Sequence, residues 1–526
     1  MKRKAKKLVA IVCAIGLLLA GCGAKEEKVS MGDFDFESYP METTETLTYW
    51  CDIPSAVSTV YNNIGETEFA KELEKKTGVK VEYMHPAAGQ ETSSLNLMIA
   101  SDELPDMVEA NWLGHGGGAA SSIEEGIILP LNDLIDQHAP NLKKFLQENP
   151  EIDKMVKTDD GTYYAFPFIR NDERLLISQG TLIRNDWLEE LGLEMPETID
   201  ELEAVLVAFK EKKGATAPLS YRANKRNQFL GNFSTSSSFY LSEGKVVYGP
   251  LTENYKFAVE TLKRWYDMGL LDPNFVSVDD ATLTSNVLNG KTGVTANTGG
   301  GGLGTWLDSM KGSDWSMTGM PFTKISADKE VEYFPVDNAY PGYGSVAITT
   351  ACKNPALAVR FLDYAYSEEG NILFNFGTEN VSFEKTDDGY VFTDLIFNNP
   401  DGLTMAQAMA NYFKSSTDGP FIQSVDYINQ FYYRPQQQQA LDAWTTNMSA
   451  VRENNLPPTS LTEDEASEFA EIMAEIQKYE SKMFTAFIMG TSSMDDYDDY
   501  LKNIEKMGID RAIEIKEASL ARYNAR

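Results

Sequence analysis

Two places in this 526-residue chain set a planar aromatic beside a hydrogen-bonding side chain at the end of an apolar, strand-like run. Trp50 and Asp52 close the run Leu47–Cys51, and Asn111 with Trp112 follow Met107–Ala110. Such pairs suit a ligand with flat apolar faces and many hydroxyls, as pyranose rings have. The ring stacks on the aromatic, and the carboxylate or amide grips hydroxyl pairs. Arg170, Arg222, Lys225 and Arg226 are notable cations in an acidic chain, and two readings stand for them: a solvated loop, or recognition of an acidic sugar.

Catalytic chemistry finds less support. There is no Gly-x-Ser-x-Gly elbow and no His-Glu-x-x-His, and the three histidines, His85, His115 and His138, share no spacing that a zinc ion or a hydrolase triad needs. Gly114–Gly118 and Gly299–Gly302 are glycine-rich, but no Gly-Lys-Ser/Thr follows either, so they read as loops that allow close backbone approach rather than phosphate cradles. The 79 acidic residues leave room for a paired-carboxylate glycosidase. A secreted glycan hydrolase therefore stands as a competing reading, beside a surface adhesin and a receptor for a non-sugar solute such as a peptide. No metal or other cofactor is expected.

The elements that must position these residues alternate. Leu47–Cys51 is a strand; Thr67–Lys76 is a helix with Phe69, Ala70 and Leu73 on one face and Gly78 as its stop; Val79–Tyr83 alternates as a strand. A helix carrying Leu95, Leu97 and Met98 and the strand Met107–Ala110 follow. This order predicts a doubly wound sheet, whose ligands sit beyond the carboxyl ends of the strands. Asp160-Gly161 then opens a hairpin with Thr162–Phe166 as a strand, Pro167 ends it, and Leu175–Leu182 is read as a second extended segment. A short helix from Asn185 stops at Gly192, and Thr198 with Glu201 makes a capping box before Leu202, Val205, Leu206 and Phe209 at helical spacing. Trp265, spaced with Phe257, Thr261 and Leu262, reads as core. Asp388-Gly389 marks a further hairpin, and a capped helix from Thr462 runs on through Phe469, Ile476 and Phe487.

Asp160, Gly161, Tyr163 and Pro167, then Arg184, Asp186, Trp187, Leu188, Leu191, Gly192, Pro196, Thr198 and Glu201, resemble the crossover of extracellular solute-binding proteins of family 1, the sugar-capturing receptors of ABC importers. "FAKELEKKTGVKVEYMHP" resembles that family's first β-α-β unit, and the pattern over 456–490 resembles a long subgroup of Gram-positive lipoproteins, so the similarity spans the mature chain. It implies an α/β fold of two doubly wound lobes joined by hinge crossovers (periplasmic-binding-protein-like, type II). Lobe 1 would comprise 47–168 and 343–380, and lobe 2 169–342 and 381–526. It also implies a site of Trp50, Asp52, Asn111, Trp112, Arg170, Arg222, Asn297, Trp306, Tyr343, Tyr432, Tyr433 and Arg434, with Trp306 delivered by the strand Gly293–Ala296 and Tyr432 presented as a stacking platform. Some relatives bind calcium after the helix that ends near Lys212, but Lys213–Pro218 lacks a ligand series. The function so implied is capture of an oligosaccharide by a monomer and its delivery to ABC permease subunits.

Address and charge agree with this. Five cations precede an apolar run of 13 residues, Leu8–Ala20, too short to span a bilayer and suited to a signal-peptide core over 1–21. Leu19-Ala20-Gly21-Cys22 looks like a lipobox, which would anchor the chain through Cys22 on the outer face of the cytoplasmic membrane, with 22–46 as a flexible tether. The formal charge is −33; without the five cations and no anion of 1–21 it is −38 over 505 residues. Such a surface argues against nucleic acid. Of the remaining cysteines, Cys51 and Cys352 could pair outside the cell, two buried free thiols being the expected state.

Overall fold

The computed structural model describes residues 38–526 except Asp388. The leader, Cys22 and most of the tether lie outside the described residues, as does Asp388 of the second hairpin.

In the first lobe, β1 (Thr46–Trp50), α1 (Glu68–Thr77), β2 (Lys80–Met84), α2 (Glu91–Ser101) and β3 (Met107–Ala110) form the expected alternating unit. Local chemistry fixes the ends of α1: the Thr67 hydroxyl accepts from the Ala70 amide, and Gly78 adopts φ 74° at the stop. Phe69, Ala70 and Leu73 turn one face of α1 into the core. β1 runs parallel to both β2 and β3.

The second lobe is built from β4 (Gln179–Ile183), α3 (Asn185–Leu191), α4 (Ile199–Lys213), α5 (Glu253–Asp267), β5 (Val294–Thr298) and β6 (Thr318–Gly319). The capping box at Thr198 and Glu201 forms, and Gly192 and Gly214 close their helices at φ 63° and 70°. β4 is antiparallel to both β5 and β6, while Leu219 bridges Val294 and Leu271 in parallel, so this sheet is mixed. Trp265 is fully buried in this core, as its spacing requires, and its indole donates to Glu203 Oε2 at 2.6 Å.

The chain then returns: β7 (Ser345–Ile348) pairs antiparallel with β3 and completes the first sheet in the order β7-β3-β1-β2. The helix α6 (Pro355–Asp363) packs its apolar face against the same core. Ala410 and Phe421 also belong to that core, so the segment after the second hairpin leans back on the first lobe. The tail is helical: α7 (Glu463–Ile488), α8 (Tyr497–Lys506) and α9 (Ile509–Ala525). Met473, Ile476, Phe484 and Phe487 bury one stripe of α7 in the second lobe's core. Glu480 lies in that stripe and stays there because Arg226 pairs with it at 2.9 Å and the Tyr255 hydroxyl donates to it.

Two segments between the lobes differ from expectation. Thr162–Phe166 makes only the bridges Lys157–Tyr163 and Phe166–Val346, and of the expected extended run Leu175–Leu182 the ladder takes up the second half, β4 starting at Gln179 after a helical turn at Glu173–Leu175. After Pro167 the chain leaves the first sheet, and its ladder partner is distant: Ile169–Arg170 pairs in parallel with Ile422–Gln423. Asp172 caps the turn that follows, accepting from the Arg174 amide at 2.9 Å. On this side of the molecule α9 also reaches the first lobe. Arg522 and Arg526 pair with Asp159 at 2.8 and 2.6 Å, Arg522 pairs with Glu465 at 2.5 Å, and the Lys154 ammonium lies over the Tyr523 ring.

Candidate ligand-binding site

A cleft of about 400 Å³ opens where β1 and β3 end and β7 begins. These ends coincide because β7 is antiparallel to β3, with Ser345 opposite Ala110. Trp50 and Asp52 enter from β1, Glu109, Ala110 and Asn111 from β3, and Glu91, Thr92 and Leu95 from the first turns of α2. Tyr343, Gly344 and Asp418 close the wall from the crossovers. Asp418 reaches the rim because residue 344 is a glycine: its φ is 66°, and a Cβ there would sit 2.9 Å from the Asp418 Cβ.

Aromatic and polar groups are both on offer here. Trp50 is only 5% exposed, while Tyr343 is 37% exposed and leans on Phe168 at 6.0 Å. Asn111 is exposed, its Oδ1 accepting from the Gly114 amide at 3.1 Å. Glu109 accepts from the Tyr49 hydroxyl at 2.5 Å, and burial raises its carboxyl above the usual range against the pull of Lys414. Burial also raises Asp52, an effect the charges of Glu91 and Asp418 reinforce, and it lowers His115. At neutral pH the imidazole is therefore uncharged.

The Tyr343 hydroxyl links this cleft to a second hollow of about 210 Å³ through the Arg170 guanidinium, at 3.4 Å. Arg170, Ser178, Thr298, Gly300, Gly301, Gln423 and the rings of Tyr427, Phe431 and Tyr432 line the second hollow. Arg170 is held by Asp337 at 2.5 Å and by Gln423 Oε1 at 3.2 Å. The glycine run beside it serves these rings rather than an open approach. A Cβ on Gly299 would lie 2.7 Å from Tyr432 Cε2, and one on Gly300 would lie 2.8 Å from Phe431 Cε1.

Of the residues singled out by sequence, the structure brings Trp50, Asp52, Asn111 and Tyr343 together in the first hollow and Arg170 and Tyr432 in the second. Asn297 and Arg222 stand apart from both linings, with Arg222 paired to Asp280 at 2.6 Å and touching Asn297 Oδ1 at 3.4 Å. Tyr433 and Arg434 both engage Asp308, the Tyr433 hydroxyl at 3.1 Å. Trp112 and Trp306 correct the expectation of open platforms. Trp112 is fully buried in the first core, with its indole donating to the Val108 carbonyl at 3.2 Å. Trp306 is 2% exposed, belongs to the core cluster of Leu283, Val287 and Trp444, and donates to Thr284 Oγ1 at 3.1 Å. Glu91, Glu109, His115 and Asp418 were not foreseen. Among the described residues no group of three His, Cys, Asp or Glu side chains is placed to hold a metal ion.

Two α/β lobes, crossovers between them and a cleft at the carboxyl ends of the strands define a binding protein of the periplasmic-binding-protein class. The alginate-binding protein AlgQ2, solved without calcium ion, has the same fold: 24% identity and a TM-score of 0.72 over 92% of this chain and 100% of that one. The model of the family described as bacterial extracellular solute-binding protein matches residues 62–372, and the chain belongs to that family. Across all of this chain and 99% of its own, the fructooligosaccharide ABC transporter substrate-binding protein FusA of Streptococcus pneumoniae serotype 4 (strain ATCC BAA-334 / TIGR4) is 26% identical. Lipoprotein LipO of Bacillus subtilis (strain 168) is 26% identical over 66% of this chain and 69% of its own. The chain is thus a solute-binding protein and not an enzyme.

Proposed function

We propose that the chain captures an oligosaccharide outside the cell and delivers it to the permease of an ABC importer. The cleft at the ends of β1 and β3 carries this reading. It pairs the rings of Trp50 and Tyr343 with the hydrogen-bonding groups of Asp52, Asn111 and Asp418, and its volume suits more than a single small ion. The full-length likeness to a fructooligosaccharide-binding relative supports it. The second hollow, reached through Arg170 and Tyr343, would take further sugar units against a wall in which Tyr427 and Tyr432 are almost wholly buried, so that Tyr432 is no more an open platform than Trp306.

In this reading the lobes comprise 47–168 with 343–380 and 169–342 with 381–526, the stretch around Ala410 and Phe421 leaning back on the first. The lobes close on the ligand about the crossovers, and the closed form is presented to the permease. The chain acts as a monomer tethered through a lipidated Cys22. Calorimetry with glycan and peptide panels tests the ligand class: saturable one-to-one binding of an oligosaccharide is expected, and binding confined to peptides would overturn it.

A further inference from the structure

The charge around the first hollow is one-sided. Four of its lining residues are carboxylates: Asp52, Glu91, Glu109 and Asp418. Among the described residues none of them forms a salt bridge. The Asp52 carboxylate accepts from the Ile53 amide at 2.8 Å, Glu91 from the Gly89 amide at 2.7 Å and Glu109 from the Tyr49 hydroxyl. The arginines singled out by sequence are committed to other carboxylates. Arg170 is neutralised by Asp337, Arg222 by Asp280 and Arg434 by Asp308. Lys225 is turned to Gln179 on β4, Lys414 acts on Glu109, and no lysine or arginine stands in the lining of the hollow itself. His115 brings no charge at neutral pH. The hollow and its rings make the site; the carboxylates set its sign.

We infer that this cleft selects glycans without carboxylate groups and rejects uronate-bearing chains. The inference rests on the sugar-capture reading above. A uronate brought beside Asp52 and Asp418 meets like charge inside a partly desolvated hollow, where repulsion is stronger than in bulk water. A hydroxyl or an amine at the same place finds acceptors. Among the carboxylates the mutual repulsion is already visible: the charges of Glu91 and Asp418 each add to the upward shift of Asp52.

The test uses the folded protein and partial hydrolysates in two pools, neutral (fructan, galactan, xylan, mannan) and uronate (polygalacturonate, alginate), with a peptide pool as a third arm. Thermal shift followed by calorimetry should show binding from the neutral pool and binding at least about tenfold weaker from the uronate pool. Equal or tighter binding of uronates overturns the inference and leaves sugar capture standing. Binding from the peptide pool alone overturns both. In an Asp52→Asn, Asp418→Asn double variant the preference for neutral chains should shrink by about tenfold, and an unchanged preference overturns the assignment to these carboxylates.

Discussion

Tyr343 and Trp306 make opposite demands on the molecule. Tyr343 offers an exposed ring on the cleft wall, so Tyr343→Ala should weaken glycan binding by about thirtyfold, or about 2 kcal/mol, with the melting temperature unchanged. Trp306 is buried in the core cluster that also holds Leu283, Val287 and Trp444; Trp306→Ala should cost about 3–5 kcal/mol of stability in denaturant titrations. A Trp306→Ala protein that melts like wild type but fails to bind would return this ring to the cleft. Sequence put Trp50, Asp52 and Asn111 at strand ends, where an α/β sheet meets its ligand, whereas Tyr343 came from the family resemblance alone. It could not tell which way Trp112 and Trp306 turn, since one indole past a strand end packs inward or outward at equal sequence cost. Glu91, Glu109 and Asp418 stayed hidden for a different reason. In a chain with 79 acids, no single carboxylate stands out.

Whole elements were easier to read than single side chains. Helix ends announced themselves through Thr198 and Thr462 as caps and through Gly78 and Gly192 as stops, each a local interaction. The ladder of the crossover at Ile169–Arg170 was not legible because its partner is remote, Arg170 and Gln423 lying 253 residues apart. Two elements carry predictions. The turn Gly299–Gly304 floors the second hollow against Phe431 and Tyr432, so Gly299→Val should force Tyr432 aside and destabilise by about 1–3 kcal/mol, read from unfolding curves. The end of α9 ties Asp159 and Glu465 through Arg522. Partial burial acts to raise the Glu465 carboxyl, but hydrogen bonds from Arg522 and the Thr462 backbone outweigh it and hold it below its usual value. A depressed carboxylate contributes stability that is full above its unfolded pKa, about 4.3, and is lost as pH falls through the lower folded value. Melting temperature should therefore drop on acidification below about pH 4, and Arg522→Ala should flatten that drop. An unchanged slope in the variant would place the acid sensitivity elsewhere.

At the scale of the molecule, the lipid anchor proposed at Cys22 would have to hold a strongly acidic chain, whose charge an anionic membrane repels. Cys22→Ala should release the protein into the medium in cell fractionation; retention of the variant on washed cells would assign anchoring to another segment. The same charge repels nucleic acid, most strongly at low salt. Two-lobed architecture was legible from the alternation of strands and helices and from the Asp160–Glu201 stretch. How the lobes are strapped together was not. The ion pairs from α9 to Asp159 join residues more than 360 positions apart, and no periodicity reports them.

Cys51 and Cys352 are both buried and free, and burial pushes the Cys51 thiol well up and that of Cys352 up to about 12. Neither presents thiolate to solvent at neutral pH, so both should be inert to maleimides while the protein is folded. A version beginning at Gly23 would carry no other native thiol. One cysteine introduced on an exposed position of each lobe would then be the only reactive handles, and a donor–acceptor dye pair placed there would report the distance between lobes as sugar is added. The molecule is, without further editing of its own thiols, ready to be made into an optical gauge of its ligand.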